Sequence, residues 1–155
     1  MSRGSRGILL GATAVLAAAL LTACGGQEEA EPKGPPTDRE RLAGFTGLKA
    51  PENAKDLTVA TAETDDERTR MKAAFGTDRK GAERFCRAAN LGTYPDPEGP
   101  GEEEQEAFGV GGRSVGGSVS CRGVDPKSGD VQRDVLVVYP TKDTAEVHLI
   151  AYEVD

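Results

Sequence analysis

Apolar and polar positions divide the chain into three regimes. From Ile8 to Leu21 no side chain is charged and most are apolar. From Cys24 to about Phe45 apolar residues are sparse among Gly, Pro and charged residues. Beyond residue 45 the apolar residues recur with the periods of secondary structure. Leu57 to Ala62 reads as a first strand. Met71, Ala73 and Phe75 alternate with Arg70, Lys72 and Ala74, the period of a half-buried strand over about Arg70 to Gly76. Ala82, Phe85, Cys86 and Ala89 then fall at i, i+3, i+4 and i+7, one face of a helix that Thr77 or Asp78 caps. Asn90-Leu91-Gly92 closes it, with Gly92 expected in the left-handed C-terminal position.

Residues 94–113 break the periodicity. Pro95, Pro97 and Pro100 begin this stretch, Glu102, Glu103, Glu104 and Glu106 make its centre acidic, and glycines end it. It reads as a long irregular loop, and such loops are functional or disordered more often than not. Three strands follow. Val115, Val119 and Cys121 share a face of the third strand. Asp125 to Asp130 is a Pro- and Gly-bearing hairpin turn. Val131 to Tyr139 is apolar on both faces and therefore central, and Val147 to Val154 is the last strand. The pattern predicts an α+β domain of order ββαβββ: an antiparallel sheet of about five strands with one helix packed on one face. No internal repeat is visible.

The N-terminal regime changes the picture most. Met1 to Gly7 carries Arg3 and Arg6 and no acid, and the apolar run behind it is short of the ~20 residues a spanning helix needs. A basic start, a short apolar run and small residues at its end are the layout of a secretory signal peptide. Leu21-Thr22-Ala23-Cys24 resembles the lipobox of bacterial lipoproteins. That resemblance implies that Cys24 takes a diacylglyceryl group, that residues 1–23 are removed, and that the mature protein sits on the extracytoplasmic face of the cell membrane. Two acyl chains anchor durably where one does not. The alternative is an ordinary signal peptide cut elsewhere, with Cys24 a free thiol. Residues 24–45 then read as a solvated tether and 46–155 as the globular domain, with Leu42, Phe45 and Leu48 marking where the chain first meets the core. Pro51-Glu52-Asn53-Ala54-Lys55-Asp56-Leu57, two strands and a Phe-bearing helix are similar to uncharacterised small lipoproteins of actinobacteria, which implies secretion and no particular activity.

Charge and cysteine count narrow the function classes. The formal charge is −7, and loss of Arg3 and Arg6 with the leader leaves −9. An acidic surface disfavours nucleic acid as a partner, because attraction to phosphate supplies most of that binding. With Cys24 lipidated, Cys86 and Cys121 remain, and two leftover cysteines in an exported protein most often pair. The alternatives are two unrelated thiols or a metal pair, and zinc would need further Cys or His ligands although His148 is the only histidine. Closing the loop between the two cysteines would contribute roughly 4 kcal/mol.

No residue set makes a convincing catalytic centre. Gly112-Arg113-Ser114-Val115-Gly116 matches G-x-S-x-G, but it leads into a strand where a hydrolase has a strand-to-helix turn, so the match is read as chance. His148 alternates with Ile150 and Tyr152 and reads as an edge or surface histidine. The acidic residues between Asp96 and Glu106 lack the spacing and turn glycine of an EF-hand. No catalytic residue, metal ligand or cofactor is assigned. The expectation is a membrane-anchored, non-enzymatic binding or interaction module. The alternatives are a small cell-envelope hydrolase or transferase with an unrecognised site, and an inhibitor or accessory of another envelope protein. The 94–113 loop is the expected contact region, through Tyr94, Glu102, Glu103, Glu104 and Phe108.

Overall fold

The computed structural model describes residues 34–111 and 114–154. The expected leader, Cys24 and the first part of the expected tether lie outside these residues. Within the remainder of that tether the chain forms a helix, α1 (Asp38–Thr46). Thr37 and Glu40 cap it reciprocally: the Glu40 amide donates to the Thr37 hydroxyl, and the Thr37 amide donates to the Glu40 carboxylate at 2.8 Å. Gly47, at φ 69°, ends it in the left-handed conformation. Leu42, Thr46 and Leu48 are fully buried, so the folded region begins before residue 46.

The sheet has six strands, one more than expected: β1 (Lys55–Glu63), β2 (Thr69–Asp78), β3 (Gly92–Asp96), β4 (Ser118–Val124), β5 (Val131–Val138) and β6 (Thr144–Glu153). Their order across the sheet is β1-β2-β6-β5-β4-β3, and every adjacent pair is antiparallel. The apolar run of β5 is central, as its two-faced pattern requires. The described residues form three α-helices where one was expected: α1, α2 (Arg79–Arg87) and α3 (Glu102–Phe108). The stretch read as an irregular loop thus contains β3 and α3. Helix α2 stops at Arg87, and a 3-10 turn over Ala88–Asn90 follows. Asn90, at φ 59°, takes the left-handed position expected of Gly92, which instead starts β3. Val115 lies outside β4 and is exposed.

Alternation assigns the two faces. Met71, Ala73 and Phe75 on β2, Val135 and Val137 on β5, and Val147, Leu149 and Ala151 on β6 form the main core with Leu42, Phe85 and Cys86. Asp78 caps α2 by accepting from the Gly81 amide. The Phe85 ring meets Phe75 edge-on at 5.1 Å, a contact worth ~0.5–1.5 kcal/mol beyond the burial itself. At the far end of α2 a disulfide joins Cys86 to Cys121 of β4, with Cα atoms 5.6 Å apart. The helix is therefore fastened to β2 at its start and to β4 near its end. On the opposite face α3 covers less. Phe108 and Val110 pack on Leu136 and Val138, and the Ser120 hydroxyl donates to Glu104 at 2.9 Å.

A charged side chain lies inside the main core. Arg133 sits on the helix-covered face of β5 and is 0% exposed. Its Nε donates to the Gly123 carbonyl at 3.1 Å, Nη1 to the Thr46 carbonyl at 3.2 Å, and Nη2 to the Val124 carbonyl. The Asp125 carboxylate is 4.0 Å from Nη1. Burial opposes ionisation of Asp125, but hydrogen bonds from the Lys127 amide and the Ser128 hydroxyl, together with Arg133, hold its carboxyl below the usual value. Gly47 is required beside it, since a Cβ there would lie 3.2 Å from Asp125 Oδ1 on a backbone of positive φ. Arg133→Met keeps the volume and leaves three carbonyls and a carboxylate without their donor. It should lower stability by about 3–5 kcal/mol in urea titrations, and a loss below ~1 kcal/mol would mean that water replaces the guanidinium at little cost.

Candidate functional site

A cleft of about 460 Å³ opens on the helix-covered face, between α2 and the β3–β4–β5 side of the sheet. Its α2 wall is Arg79, Ala82, Glu83, Cys86 and Arg87, positions that helical periodicity places on one side. Thr93, Pro95 and Pro97 line the opposite wall, and Val119, Val137 and Tyr139 complete the lining. Gly117 allows the loop before β4 to close beneath it, because a Cβ there would lie 2.4 Å from the Asp96 carbonyl.

Arg79 is the most constrained charged group in this lining. Its amide donates to the Asp143 carbonyl at 3.2 Å, and its Nε donates to the Lys142 carbonyl at 3.2 Å. The guanidinium lies 3.9 Å from the centroid of the Tyr139 ring, within cation–π range. Burial raises the Tyr139 hydroxyl pKa, with Arg79 opposing and Glu83 reinforcing the shift. Glu83 pairs with Arg87 at 3.7 Å, and both are largely exposed, so this pair adds little stability.

The structure places the contact residues singled out from the sequence on α3 and on the sheet face that α3 covers, away from this cleft: Tyr94 is the cross-strand partner of Ser120, whose hydroxyl binds Glu104. Tyr94 is on β3, 57% exposed, with the Arg122 guanidinium 5.8 Å from its ring centroid. Glu102 and Glu103 are exposed in the first turn of α3, where carboxylates offset the helix dipole. Glu104 accepts from Ser120, and Phe108 is half-buried against the sheet. Gly112 and Arg113 lie outside the described residues. The Ser114 hydroxyl donates to the Gly117 carbonyl and accepts from the Tyr139 amide, so it fixes a loop onto the end of β5. Among the described residues no group of His, Cys, Asp and Glu could hold a metal ion. No helix among them is long and apolar enough to cross a membrane.

The pairing of Arg79 with Tyr139 had no sequence signal. Arg79 was one of several charged residues on the polar side of α2, and Tyr139 the end of an apolar strand. Only the β2–α2 connection and the placement of β5 bring them together. The cleft lining holds no histidine or lysine, and its Cys86 is in the disulfide. What it offers is a concave wall of apolar side chains, the hydroxyl-bearing Thr93 and Tyr139, the carboxylates Glu83 and Asp96, and the positioned guanidinium of Arg79. No family model, curated protein or solved structure matches the chain.

His148 lies elsewhere, on β6 between Ala74 of β2 and Leu136 of β5. Its side chain is 15% exposed, and its Nε2 is 3.7 Å from Glu146 with no hydrogen-bond partner among the described residues. Burial lowers its pKa, and Glu146 opposes that shift. The unfolded chain then takes up this proton more readily than the folded one. His148 therefore contributes stability above the unfolded value of ~6.5 that is lost as pH falls below it. Urea midpoints at pH 7.5 and pH 5 should differ more in the natural protein than in His148→Leu. Equal differences would show that the imidazole charges without penalty.

Proposed function

We propose that the mature protein is an extracytoplasmic lipoprotein, held to the membrane by lipid on Cys24, whose α+β domain is a non-enzymatic binding module with its site in the cleft along α2. The observation that carries the binding reading is the cleft itself: a concave surface with apolar side chains and one guanidinium held in place by Tyr139 and the Lys142 carbonyl. The Cys86–Cys121 disulfide supports export, because such bonds persist in oxidising compartments and are rare in cytosolic proteins. The acidic composition supports partners other than nucleic acid. Since α1 begins at Asp38, the spacer after Cys24 is roughly 12 residues and spans at most ~45 Å. On this reading the cleft works close to the membrane surface rather than deep in the surrounding medium.

Two measurements bear on the proposal. Cys24→Ala should appear in the medium, or accumulate as an unprocessed precursor, when cell fractions are blotted. Mature-sized variant that still fractionates with membranes would remove lipid as the anchor. Crosslinking in intact membranes, followed by peptide mapping, should place adducts on α2 and β3. Adducts confined to α3 would move the binding surface to the opposite face of the sheet.

A further inference from the structure

We infer that the cleft along α2 takes a small organic carboxylate: one carboxylate group received by Arg79, and an apolar body lying over Val119 and Val137. The inference rests on the binding-module reading and adds the ligand's chemistry. Its basis is the state of Arg79. The chain fixes this side chain twice, by the Nε bond to the Lys142 carbonyl and by contact with the Tyr139 ring. Neither constraint uses the two terminal nitrogens. They form no hydrogen bond or ion pair among the described residues, although Arg79 lines the cleft. An oriented guanidinium with free terminal N–H groups is a fork matched to the two oxygens of a carboxylate. Its orientation is set before binding, so little side-chain entropy is lost when the ligand arrives.

The nearest acid on the same helix does not fill that role. Glu83 is one turn on from Arg79 but pairs with Arg87 at 3.7 Å, on the side away from the α2 start. The rest of the lining specifies the body of the ligand. Ala82, Pro95, Pro97, Val119 and Val137 are apolar, and Thr93 adds one hydroxyl at the wall. A volume of about 460 Å³ lies within the ~300–1,000 Å³ of small-molecule sites and is too confined for a folded partner. Charge ranks the competitors. A cationic ligand would be repelled by the free terminal nitrogens of Arg79. Glu83 and Asp96 also line the cleft and repel any anion, but a phosphate dianion more than a carboxylate of single charge.

The test uses the full-length mature protein in detergent, isotopically labelled, with N-acetylphenylalanine, its neutral amide, phenethylamine and inorganic phosphate as probes. The acid should shift amide resonances of Ala82, Thr93, Val119 and Val137. The amide should bind about tenfold more weakly or worse, as expected for loss of a charged hydrogen-bond partner. Arg79→Gln should bring the acid down to the level of the amide, with Arg79→Lys between them. Thermal melts check that these variants fold, and if they do not, the acid–amide contrast on the natural chain decides alone. Equal binding of acid and amide, or cleft shifts with phosphate alone, overturns the carboxylate assignment. Shifts with the amide or amine but not the acid overturn it while leaving a binding cleft. Silence from all four probes overturns the assignment and the cleft as a small-molecule site together.

Discussion

A wholly buried guanidinium joins three parts of this chain. Arg133 projects from β5 and binds the last carbonyl of α1, two carbonyls at the end of β4, and the acid that opens the β4–β5 turn. A charge in an apolar core costs several kcal/mol unless its hydrogen bonds are met. Here they are met by backbone oxygens that exist only when α1, β4 and β5 are all in place. The same side chain therefore penalises partial folding and rewards the complete arrangement. It also explains why α1, otherwise a short helix with few apolar residues, belongs to the domain rather than to the segment before it. The disulfide does related work near the C-terminal end of α2, joining it to β4. Together the two constraints hold both helices of the main core against the sheet and leave the space beside α2 open.

Both edges of the sheet carry features that oppose a further strand, which directs attention to that space. At one edge Pro95 removes a donor from β3, a substitution strands tolerate only at an edge. At the other, Arg41 of α1 donates to the Val59 carbonyl at 3.0 Å and to the Thr61 hydroxyl at 3.3 Å. Both devices oppose edge-to-edge pairing. The second face is partly covered by α3, and Tyr94, Tyr152 and Arg122 are exposed beside it. Of these surfaces only the cleft combines concavity, apolar lining and a positioned charge.

Alternation made β2, β5 and β6 legible, and helical spacing did the same for α2, because each has a long, clearly one- or two-sided apolar pattern. The elements missed are short or carry residues that ordinarily mark loops. Helix α1 was hidden by the charged composition around it, although Thr37-Asp38-Arg39-Glu40 is a capping box and Gly47 a stop signal. Strand β3 reads Gly-Thr-Tyr-Pro-Asp, the vocabulary of a turn, and is a strand only because β4 pairs with it. Helix α3 begins with three glutamates that a solvated loop would equally favour, and two apolar contacts near its end dock it. The cysteine pair was legible from compartment and count. The cleft was not, since Arg79 and Tyr139 meet through topology alone.

Hydrogen exchange under native conditions tests the arrangement around Arg133 most directly. If the guanidinium ties α1 into the cooperative unit, the amides of residues 42–46 should exchange only on global unfolding, with the same free energy as the central amides of β5 and β6. Helix α3, held by Phe108, Val110 and a few polar contacts, should open at lower free energy. Exchange of α1 at the rate of α3 or faster would contradict the account, because the clasp would then hold nothing that global folding depends on.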